Sequence, residues 1–308
     1  MKELRIAILG GTGFAGRNVR NELEASGISC QAFSRTTGCD LLHLDLTWSK
    51  LDAYRPTHIV NCAARVGSVN FVAEFAADVV DINMRMLLNI YKVAQQLRDT
   101  VVINPLANCA YPDNSELCCE EQLWNGALHP SVLSFGSTRR MMQVLSGCYN
   151  AQYGVRSVNL IVPNMYGPYD STNPNKTHAL NALIIKFVRA IKACSTEVEV
   201  WGSGRPVREW LYVKDLARAI RIVVTRAYES QLSINIGQGQ GVTVDELVRL
   251  ICEFTGYTGR IVKNSRYPDG ALKKVMSPAH FSTQFPKFEF TRLEEGIRET
   301  ISFYGKLL

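Results

Sequence analysis

The sequence predicts an α/β protein with a doubly wound parallel sheet and a second, smaller C-terminal α/β domain. Two observations lead to this prediction. Short apolar runs, typical of strands buried in a parallel sheet, recur at 4–9, 28–33, 57–63, 100–103 and 156–162. Segments with helical periodicity separate most of them, at 14–27, 78–98 and 133–153. Regular alternation of this kind is typical of a doubly wound sheet.

Composition narrows the class of protein. The 308 residues, 46% of them hydrophobic, suffice for one large domain or two unequal ones. The sequence has no apolar run of about 18 residues, enters a strand directly after its start, and carries nine cysteines without a CxxC pair. We therefore expect no membrane span, no signal peptide, no metal site and a cytoplasmic location with reduced thiols. A net charge of +6 without a basic tail suits an anionic small molecule, and we expect no nucleic-acid partner.

A glycine-rich turn follows the first predicted strand. Gly10, Gly13 and Gly16 form a GxxGxxG pattern between that strand and the next helix, with Thr12 and Phe14 in the same turn. Glycines let the backbone approach a pyrophosphate, whose charge meets amide donors at the helix N-terminus. Placed at this point, the pattern predicts a Rossmann dinucleotide site rather than an unliganded tight turn.

The residues after the second strand favour NADP(H) over NAD. Arg35 stands where NAD-binding chains place a carboxylate for the ribose 2′-hydroxyl, and an arginine there accommodates a 2′-phosphate. A surface arginine is the alternative interpretation. Further along, Asp45 and Leu46 fit an adenine contact, and Ala63 and Ala64 fit the wall beside the phosphates.

Several ordered motifs carry a resemblance to a known family. They are AARVG (63–67), NCAYP (108–112), YNAQYG (149–154), PNMYGPYD (163–170), NKTH (175–178), WGSGRPVRE (201–209) and PDG (268–270). On these motifs the chain resembles the extended short-chain dehydrogenase/reductase family, and within it the GDP-L-fucose synthases, which epimerise and reduce a GDP-4-keto sugar. The resemblance implies an NADP-binding domain over 1–165 and about 211–237, and a nucleotide-sugar domain over about 166–210 and 238–308.

The residues that carry the family's hydride chemistry are replaced here. The family uses a Ser and a Tyr-x-x-x-Lys, whose spacing puts Tyr and Lys on one helical face. The corresponding positions are Ala107, Phe135 and Arg139, and no lysine in the chain has a tyrosine four residues before it. Phe135 has no proton to give and Ala107 cannot hydrogen-bond a carbonyl oxygen. Arg139 keeps a charge that can bind the nicotinamide ribose, and its pKa above 12 excludes general-acid catalysis.

Two other residues of the family's machinery are retained. The resemblance assigns epimerisation beside the 4-keto group to a Cys and a His, which map to Cys109 and His178. A ketone acidifies its α-protons, so that a thiolate or imidazole can remove one while its partner returns a proton from the other face. The alternative interpretations are a core cysteine and a surface histidine.

The resemblance also assigns a cofactor contact and a substrate pocket. Pro163 is placed at the cofactor. Arg208 is expected to bind the diphosphate of the sugar nucleotide as a bidentate donor, with Lys273 or Lys274 helping. The remaining substrate-pocket candidates are Val66, Asn108, Asn164, Lys186 and Trp201.

Three functional hypotheses remain open. The leading one is a 3- and/or 5-epimerase of a GDP-4-keto sugar whose reductase step is lost, with Arg139 stabilising the enolate. The second is a reductase whose proton comes from water or Tyr111, and the third is a catalytically silent subunit that binds NADP or a GDP-sugar. The resemblance implies a homodimer built on the helices over 78–98 and 133–153, although Met141, Met142 and Leu145 could equally pack inside the chain.

Overall fold

The computed structural model describes residues 3–226, 232–266, 269 and 271–308. The strands and helices of its first half are β1 (Ile6–Leu9), α1 (Phe14–Ala25), β2 (Cys30–Phe33), α2 (Leu44–Tyr54), β3 (His58–Asn61), α3 (Val69–Glu74), α4 (Ala76–Leu97), β4 (Val101–Ala107), β5 (Leu117–Cys118), α5 (Leu133–Tyr153) and β6 (Ser157–Val162).

The second half contains shorter strands and five further helices in its described part. They are β7 (Asn164–Tyr166), α6 (Ala179–Lys192), β8 (Glu197–Trp201), β9 (Val207–Arg208), β10 (Trp210–Tyr212), α7 (Val213–Thr225), β11 (Leu232–Asn235), β12 (Val242–Thr243), α8 (Val244–Thr255), β13 (Arg260–Asn264), β14 (Lys273–Met276), α9 (Ala279–Gln284) and α10 (Leu293–Leu307).

A six-stranded parallel sheet forms the centre of the molecule. Its strand order is β11-β6-β4-β3-β1-β2, and each neighbouring pair is parallel. Side chains alternate along β1, so Ile6 and Ile8 pack with α1 and α7 on one face, and Ala7 and Leu9 pack with α2, α4 and α5 on the other. Both faces are buried, which explains the continuous apolar runs in the sequence. The predicted doubly wound α/β class is confirmed.

Most predicted elements lie where the sequence places them. The helix predicted over 133–153 has those bounds as α5, and the one predicted over 78–98 is α4. Helix α7 ends at Thr225, and residues 227–230 lie outside the described part of the chain. The segment from Pro163 to His178 contains the short strand β7, which pairs in parallel with β10.

A further apolar core lies in the second half of the chain, where the sequence predicts a smaller cap. It combines β10 and buried side chains of α6, α8 and α10 with the two-stranded parallel sheet of β8 and β13. The amphipathic helix α8 begins with a capping box, in which the Thr243 and Glu246 side chains each accept from the other's backbone amide. The domain boundaries themselves stay a prediction.

No helix of the described residues is long and apolar enough to cross a membrane. The predicted dimer helices also pack within the chain: Met142 on α5 is 1% exposed and belongs to the core beside the sheet, and Leu145 packs against that core. Met142 therefore serves intrachain packing. The homodimer stays a prediction.

A buried polar network joins the sheet to α4 and α5. The Tyr91 hydroxyl lies 2.6 Å from the Ser146 hydroxyl and 3.1 Å from that of Ser157, and it accepts from Asn104 Nδ2 at 2.9 Å. Asn104 Nδ2 also donates to Asn159 Oδ1. These groups are buried, so each lost partner leaves a polar group without compensation.

We predict that Tyr91→Phe lowers the free energy of unfolding by about 1–3 kcal/mol, because it removes the hydroxyl that three buried groups share. Urea denaturation followed by circular dichroism measures the change. Tyr153→Phe, on the exposed end of the same helix pair, is the matched control and should leave stability within about 0.5 kcal/mol of the native value. Equal stability of the two variants would contradict the prediction.

Candidate functional site

The glycine-rich turn after β1 brings backbone close to backbone. Gly10 has φ +69°, and a Cβ there would lie 2.8 Å from the backbone nitrogen of Ala63. A Cβ on Gly16 would lie 2.4 Å from the Gly10 carbonyl oxygen. No other residue fits at either position without moving the backbone. The predicted glycine pattern therefore forms a tight turn from β1 into α1.

The N-terminus of α1 is suited to an anion. Gly13 caps the helix without a side-chain hydrogen bond, and the first turn of α1 carries no acidic residue. The Thr12 carbonyl accepts a hydrogen bond from Arg17 Nε at 2.8 Å. The first amides of the helix and its dipole thus remain available to a phosphate group. These residues fit the pyrophosphate of a dinucleotide.

Arg35, predicted to select NADP(H), and Asp45 and Leu46, predicted to contact the adenine, follow β2 in the chain. Arg35 opens a short 3₁₀ turn directly after β2, and its side chain is exposed. Asp45 and Leu46 lie in the first turn of α2, both exposed. Arg35 thus lies beside the glycine turn, with its guanidinium open to a ligand.

The predicted cofactor residues that directly follow strands lie at one edge of the sheet. Because β1, β2, β3, β4 and β6 are parallel, their carboxyl ends lie side by side. Ala63 and Ala64 follow β3, and the buried Pro163 follows β6. The edge therefore carries the glycine turn, the predicted phosphate wall and the catalytic candidates after β4.

The positions that replace the hydride-transfer residues form an apolar cluster. Phe135, 9% exposed, packs with Ala107 and Cys109, and Val66 is in contact with the same group. Val72, Val79 and Phe71 from the neighbouring helices complete the cluster. The structure thus brings together four of the predicted site residues, and neither Ala107 nor Phe135 offers a hydrogen bond donor there.

Arg139 lies one helical turn beyond Phe135 on α5, with its Cζ 4.5 Å from the centre of the Phe135 ring. Its Nη2 donates to Asn83 Oδ1 at 3.2 Å and its Nε to Thr138 Oγ1 at 3.4 Å. Among the described residues no carboxylate lies within 4 Å of its guanidinium. Burial lowers the pKa of Arg139 to about 10, against the opposing influence of Cys109. The expectation of a pKa above 12 overlooked this burial, yet the group stays cationic at pH 7.

Cys109 lies in the 3₁₀ turn that follows β4. Burial raises the pKa of its thiol to about 11, while the positive charges of Arg139 and Lys274 oppose that rise. At neutral pH the thiol is protonated and able to give a proton. Two cations beside it stabilise the thiolate that forms.

His178 precedes helix α6 and makes two defined contacts. Its Nδ1 lies 3.0 Å from Oδ2 of the buried Asp170, and its ring lies 5.0 Å from the ring of Phe14, the first residue of α1. The loop before it contacts the loop after Val66, since Ser68 N donates to the Asn175 carbonyl at 3.0 Å. His178 therefore lies beside the predicted pyrophosphate turn, and its loop reaches the segment that leads to the Cys109 cluster.

Four predicted substrate residues are linked through β9 and β14. Arg208 donates to the Val207 and Asp269 carbonyls, and Asn164 Nδ2 donates to the carbonyl of Glu209, the next residue. Lys274 is paired with Arg208 in the sheet and its Nζ donates to the Tyr111 carbonyl at 3.4 Å. Lys274 is 8% exposed whereas Lys273 faces solvent, so Lys274 is the lysine of that pair that faces the Cys109 side.

The remaining substrate candidates lie elsewhere. Lys186 and the exposed Trp201 pair with each other, the ammonium 4.5 Å from the ring centre, at the surface of the second apolar core. Asn108 is buried next to Cys109, and its Nδ2 has no hydrogen bond partner among the described residues. Of the PDG motif only Asp269 is described, and Pro268 and Gly270 lie outside the described residues.

Comparison with known proteins assigns the family. A model of the NAD dependent epimerase/dehydratase family matches residues 6–237. The chain belongs to this family. It is 29% identical over 313 residues to the GDP-L-fucose synthase of Escherichia coli (strain K12), covering 99% of this chain and 97% of the relative. It is 27% identical over 307 residues to the GDP-L-fucose synthase of Dictyostelium discoideum, covering 97% and 94%.

Solved structures agree with this epimerase/dehydratase fold. A GDP-L-fucose synthetase from Naegleria fowleri superposes with a TM-score of 0.89 at 26% identity, covering 99% of this chain and 94% of that one. The same protein bound to NADP gives a TM-score of 0.87 at 26% identity, covering 99% and 95%. A GDP-6-OMe-4-keto-L-xylo-heptose reductase from C. jejuni gives 0.90 at 21% identity, covering 100% and 99%, which shows a shared fold.

Sequence reasoning missed three groups of this epimerase/dehydratase-family site. Asp170 and Asn181 hold His178 and its loop, and Asn83 connects Arg139 to the backbone of Arg65. Asp170 stands in the PNMYGPYD motif, only eight residues before His178, and that proximity was the available signal. No group of three metal-ligating side chains occurs among the residues that the structure describes.

The structure also bears on Tyr111 as an alternative proton donor. Its hydroxyl is fully buried and donates to Asn235 Oδ1 at 2.7 Å. Burial, reinforced by Glu120, raises its pKa far above the ordinary value. Tyr111 therefore does not replace the missing tyrosine in this conformation.

We predict that Cys109 reacts slowly with iodoacetamide at pH 8 and faster as pH rises toward 11, because the thiolate fraction sets the rate and the pKa of Cys109 is about 11. Mass spectrometry of timed samples measures labelling at each cysteine. The exposed Cys148 is the internal control in the same molecule. Labelling of Cys109 at pH 8 as fast as that of Cys148 would show that the thiol is activated instead.

Proposed function

We propose that this chain is an epimerase that acts at C3 and/or C5 of a GDP-4-keto sugar, holds NADP(H), and has lost an effective 4-keto reductase step. One observation carries the proposal: the apolar cluster puts Ala107 and Phe135 where two hydroxyl donors are expected, and keeps Cys109 beside them. The GDP-L-fucose synthase relatives support the GDP-sugar assignment, and the NADP-bound Naegleria structure supports the cofactor.

The proposed chemistry needs a ketone, two proton-exchanging groups and a charge. The 4-keto group acidifies the protons at C3 and C5. Either Cys109 or His178 removes one of them, and the C–H electrons move into an enolate with the negative charge on O4. The other group returns a proton to the opposite face of the carbon, which inverts it. No electrons leave the sugar, so neither oxidant nor reductant is consumed.

Arg139 supports the enolate in this proposal. It is buried, cationic at pH 7 and without a carboxylate partner among the described residues, and Cys109 raises its pKa through their electrostatic interaction. A fixed cation in a site shielded from water stabilises a developing oxyanion more than solvent does. Because Arg139 stays protonated at pH 7, it can stabilise the enolate oxygen without giving up its own proton.

The residues present fit a dinucleotide. The backbone cradle at Gly10 and Gly16 and the uncapped start of α1 suit its pyrophosphate, and Arg35 suits a 2′-phosphate. When bound, NADP(H) supplies hydride chemistry. In this proposal the bound dinucleotide is a structural component of the site or an electrostatic aid.

The sugar nucleotide would meet two neighbouring basic side chains, Arg208 and Lys274. Burial lowers the pKa of Lys274 and of Arg208, so each is a partly desolvated cation that gains from a bound anion. Asp269 fixes the loop beneath Arg208 by accepting from the amide and hydroxyl of Ser203 at 2.7 Å each. A diphosphate bridging Arg208 and Lys274 would direct the sugar toward Cys109.

We predict that the protein exchanges the C3 or C5 hydrogen of a GDP-4-keto-6-deoxyhexose with solvent deuterium, while NADPH absorbance stays constant. NMR of the sugar in heavy water measures the exchange. Cys109→Ala and His178→Asn should each reduce the rate about 100- to 10,000-fold, because each removes a proton-transfer group. Cys148→Ala, an exposed cysteine far from the cluster, is the matched control.

Other outcomes separate the rival functions. NADPH oxidation matched to ketone loss would establish a reductase with another proton donor. Tight binding of NADP or a GDP-sugar without label exchange or redox change would establish a silent binding subunit. Either result would overturn the epimerase proposal.

We further predict that the triple variant Ala107→Ser, Phe135→Tyr, Arg139→Lys oxidises NADPH with a keto-sugar at least about 100-fold faster than the native chain. It restores a proton donor and a carbonyl hydrogen bond at positions that already lie in one cluster. The matched control keeps Phe135 and changes only the other two positions. Equal NADPH oxidation by the triple variant and this control would show that position 135 does not limit reduction.

A further inference from the structure

The carboxylate of Asp170 is surrounded by donors. Oδ2 accepts from the His178 backbone amide at 2.9 Å, from His178 Nδ1 at 3.0 Å and from Asn181 Nδ2 at 2.8 Å. Oδ1 accepts from the Ser171 amide at 2.8 Å. Asp170 is 7% exposed. Although burial opposes ionisation, the hydrogen bonds from His178 and Asn181 hold the pKa of Asp170 below its ordinary value. Four converging donors require a group that only accepts, which an ionised carboxylate is.

This arrangement defines the protonation of the imidazole. A ring nitrogen that faces a carboxylate oxygen at 3.0 Å carries the proton, and the other nitrogen is then the one with the lone pair. Nε2 makes no hydrogen bond to any described residue, and the His178 side chain is about one-third exposed. The ring cannot turn over freely, because Phe14 packs against it and Asp170 holds Nδ1.

The other groups around His178 do not compete for this role. The ring of Phe14 on α1 is apolar, and Arg17 of the same helix donates a hydrogen bond to the Thr12 carbonyl. From α10, the Tyr304 hydroxyl donates to the Asp170 backbone carbonyl at 3.2 Å. Lys176 in the preceding loop is exposed. Among the described residues, Asp170 is the carboxylate in contact with the imidazole.

We propose that Asp170 is a positioning residue that fixes His178 as the Nδ1–H tautomer, so that Nε2 is the atom that exchanges protons with the substrate. This inference rests on the proposed function and assigns the atom of His178 that takes part in the transfer. When His178 is the base, Nε2 takes the α-proton from the sugar, the C–H electron pair enters the enolate, and the Asp170 carboxylate stabilises the imidazolium that forms. The Cys109 thiol then gives a proton to the opposite face, after which solvent takes the imidazolium proton and returns one to the thiolate. In the reverse direction the thiolate takes the proton and Nε2–H of the imidazolium returns it.

The test measures the tautomer directly. In protein labelled with ¹⁵N-histidine, the two ring nitrogens of His178 are assigned by the signals lost in His178→Asn. In the native chain, at a pH where the ring is neutral, we expect Nδ1 to carry the proton and Nε2 to be unprotonated. A native ring with the proton on Nε2 overturns the proposal, whether or not any variant folds.

Two variants separate positioning from loop support. Asp170→Asn replaces an acceptor with an NH₂ group that faces donors, and we expect it to mix the two tautomers and to slow deuterium exchange about 100- to 10,000-fold with KM little changed. Thr177→Val is the matched control, because Thr177 Oγ1 holds the same loop through the Ser171 and Asn173 carbonyls without touching the imidazole. We expect it to keep the native tautomer.

The outcomes distinguish the two proposals. If the native chain exchanges label but Asp170→Asn keeps both tautomer and rate, the positioning role is wrong and the epimerase proposal stands. If the native chain shows the Nδ1–H tautomer, lost in Asp170→Asn, without any label exchange, the positioning role stands and the epimerase proposal is wrong. If Thr177→Val also loses the Nδ1–H tautomer, Asp170 only supports the loop and the positioning role is wrong.

Discussion

The parallel pairing of the central sheet is the constraint on which the site depends. Since β1, β2, β3, β4 and β6 all run in one direction, the residues that follow each strand meet at one edge. The Gly10 turn, the Arg35 turn and the Cys109 turn are thereby neighbours although they are far apart in the sequence. At Gly10, Gly11 and Gly16 this edge has no room for a side chain, because there one backbone segment touches another. Substitutions in the residues that follow each strand can therefore change the chemistry of the site without altering the sheet.

Sequence patterns predicted the elements that packing alone determines. Helix α5 has its predicted bounds because both ends are marked locally, with a 3₁₀ turn opened by Pro130 before it and Gly154 at φ +69° after it. The cluster of Ala107, Cys109 and Phe135 was also accessible, since family motifs fixed each position. By contrast, β7 and β10 are too short to show periodicity and exist because each pairs with the other.

The parts that sequence reasoning did not reach depend on side-chain direction. Lys273 and Lys274 are equivalent in composition, and only the alternation of β14 turns Lys274 inward beside Arg208. In the sequence, nothing distinguishes Asp170 from other polar residues of a turn. Its role comes from the fold of the 163–178 segment, where Tyr169 adopts φ +72° and directs the next carboxylate toward His178. The Asn83 amide is another case, because it joins Arg139 to the Arg65 backbone across 56 and 18 residues.

Arg139 is a buried cation without a carboxylate partner among the described residues. A buried cation is costly unless it is paired, and here the described surroundings offer an amide oxygen, a hydroxyl and the face of the Phe135 ring, but no carboxylate. This unfavourable burial of the charge lowers the pKa of Arg139 to about 10. A tyrosine at 135 would replace the apolar ring edge with a proton donor. In the proposed function, the charge that offsets the burial of Arg139 is the negative charge on O4 of the enolate, and the side chains of Ala107 and Phe135 have no hydroxyl to protonate it.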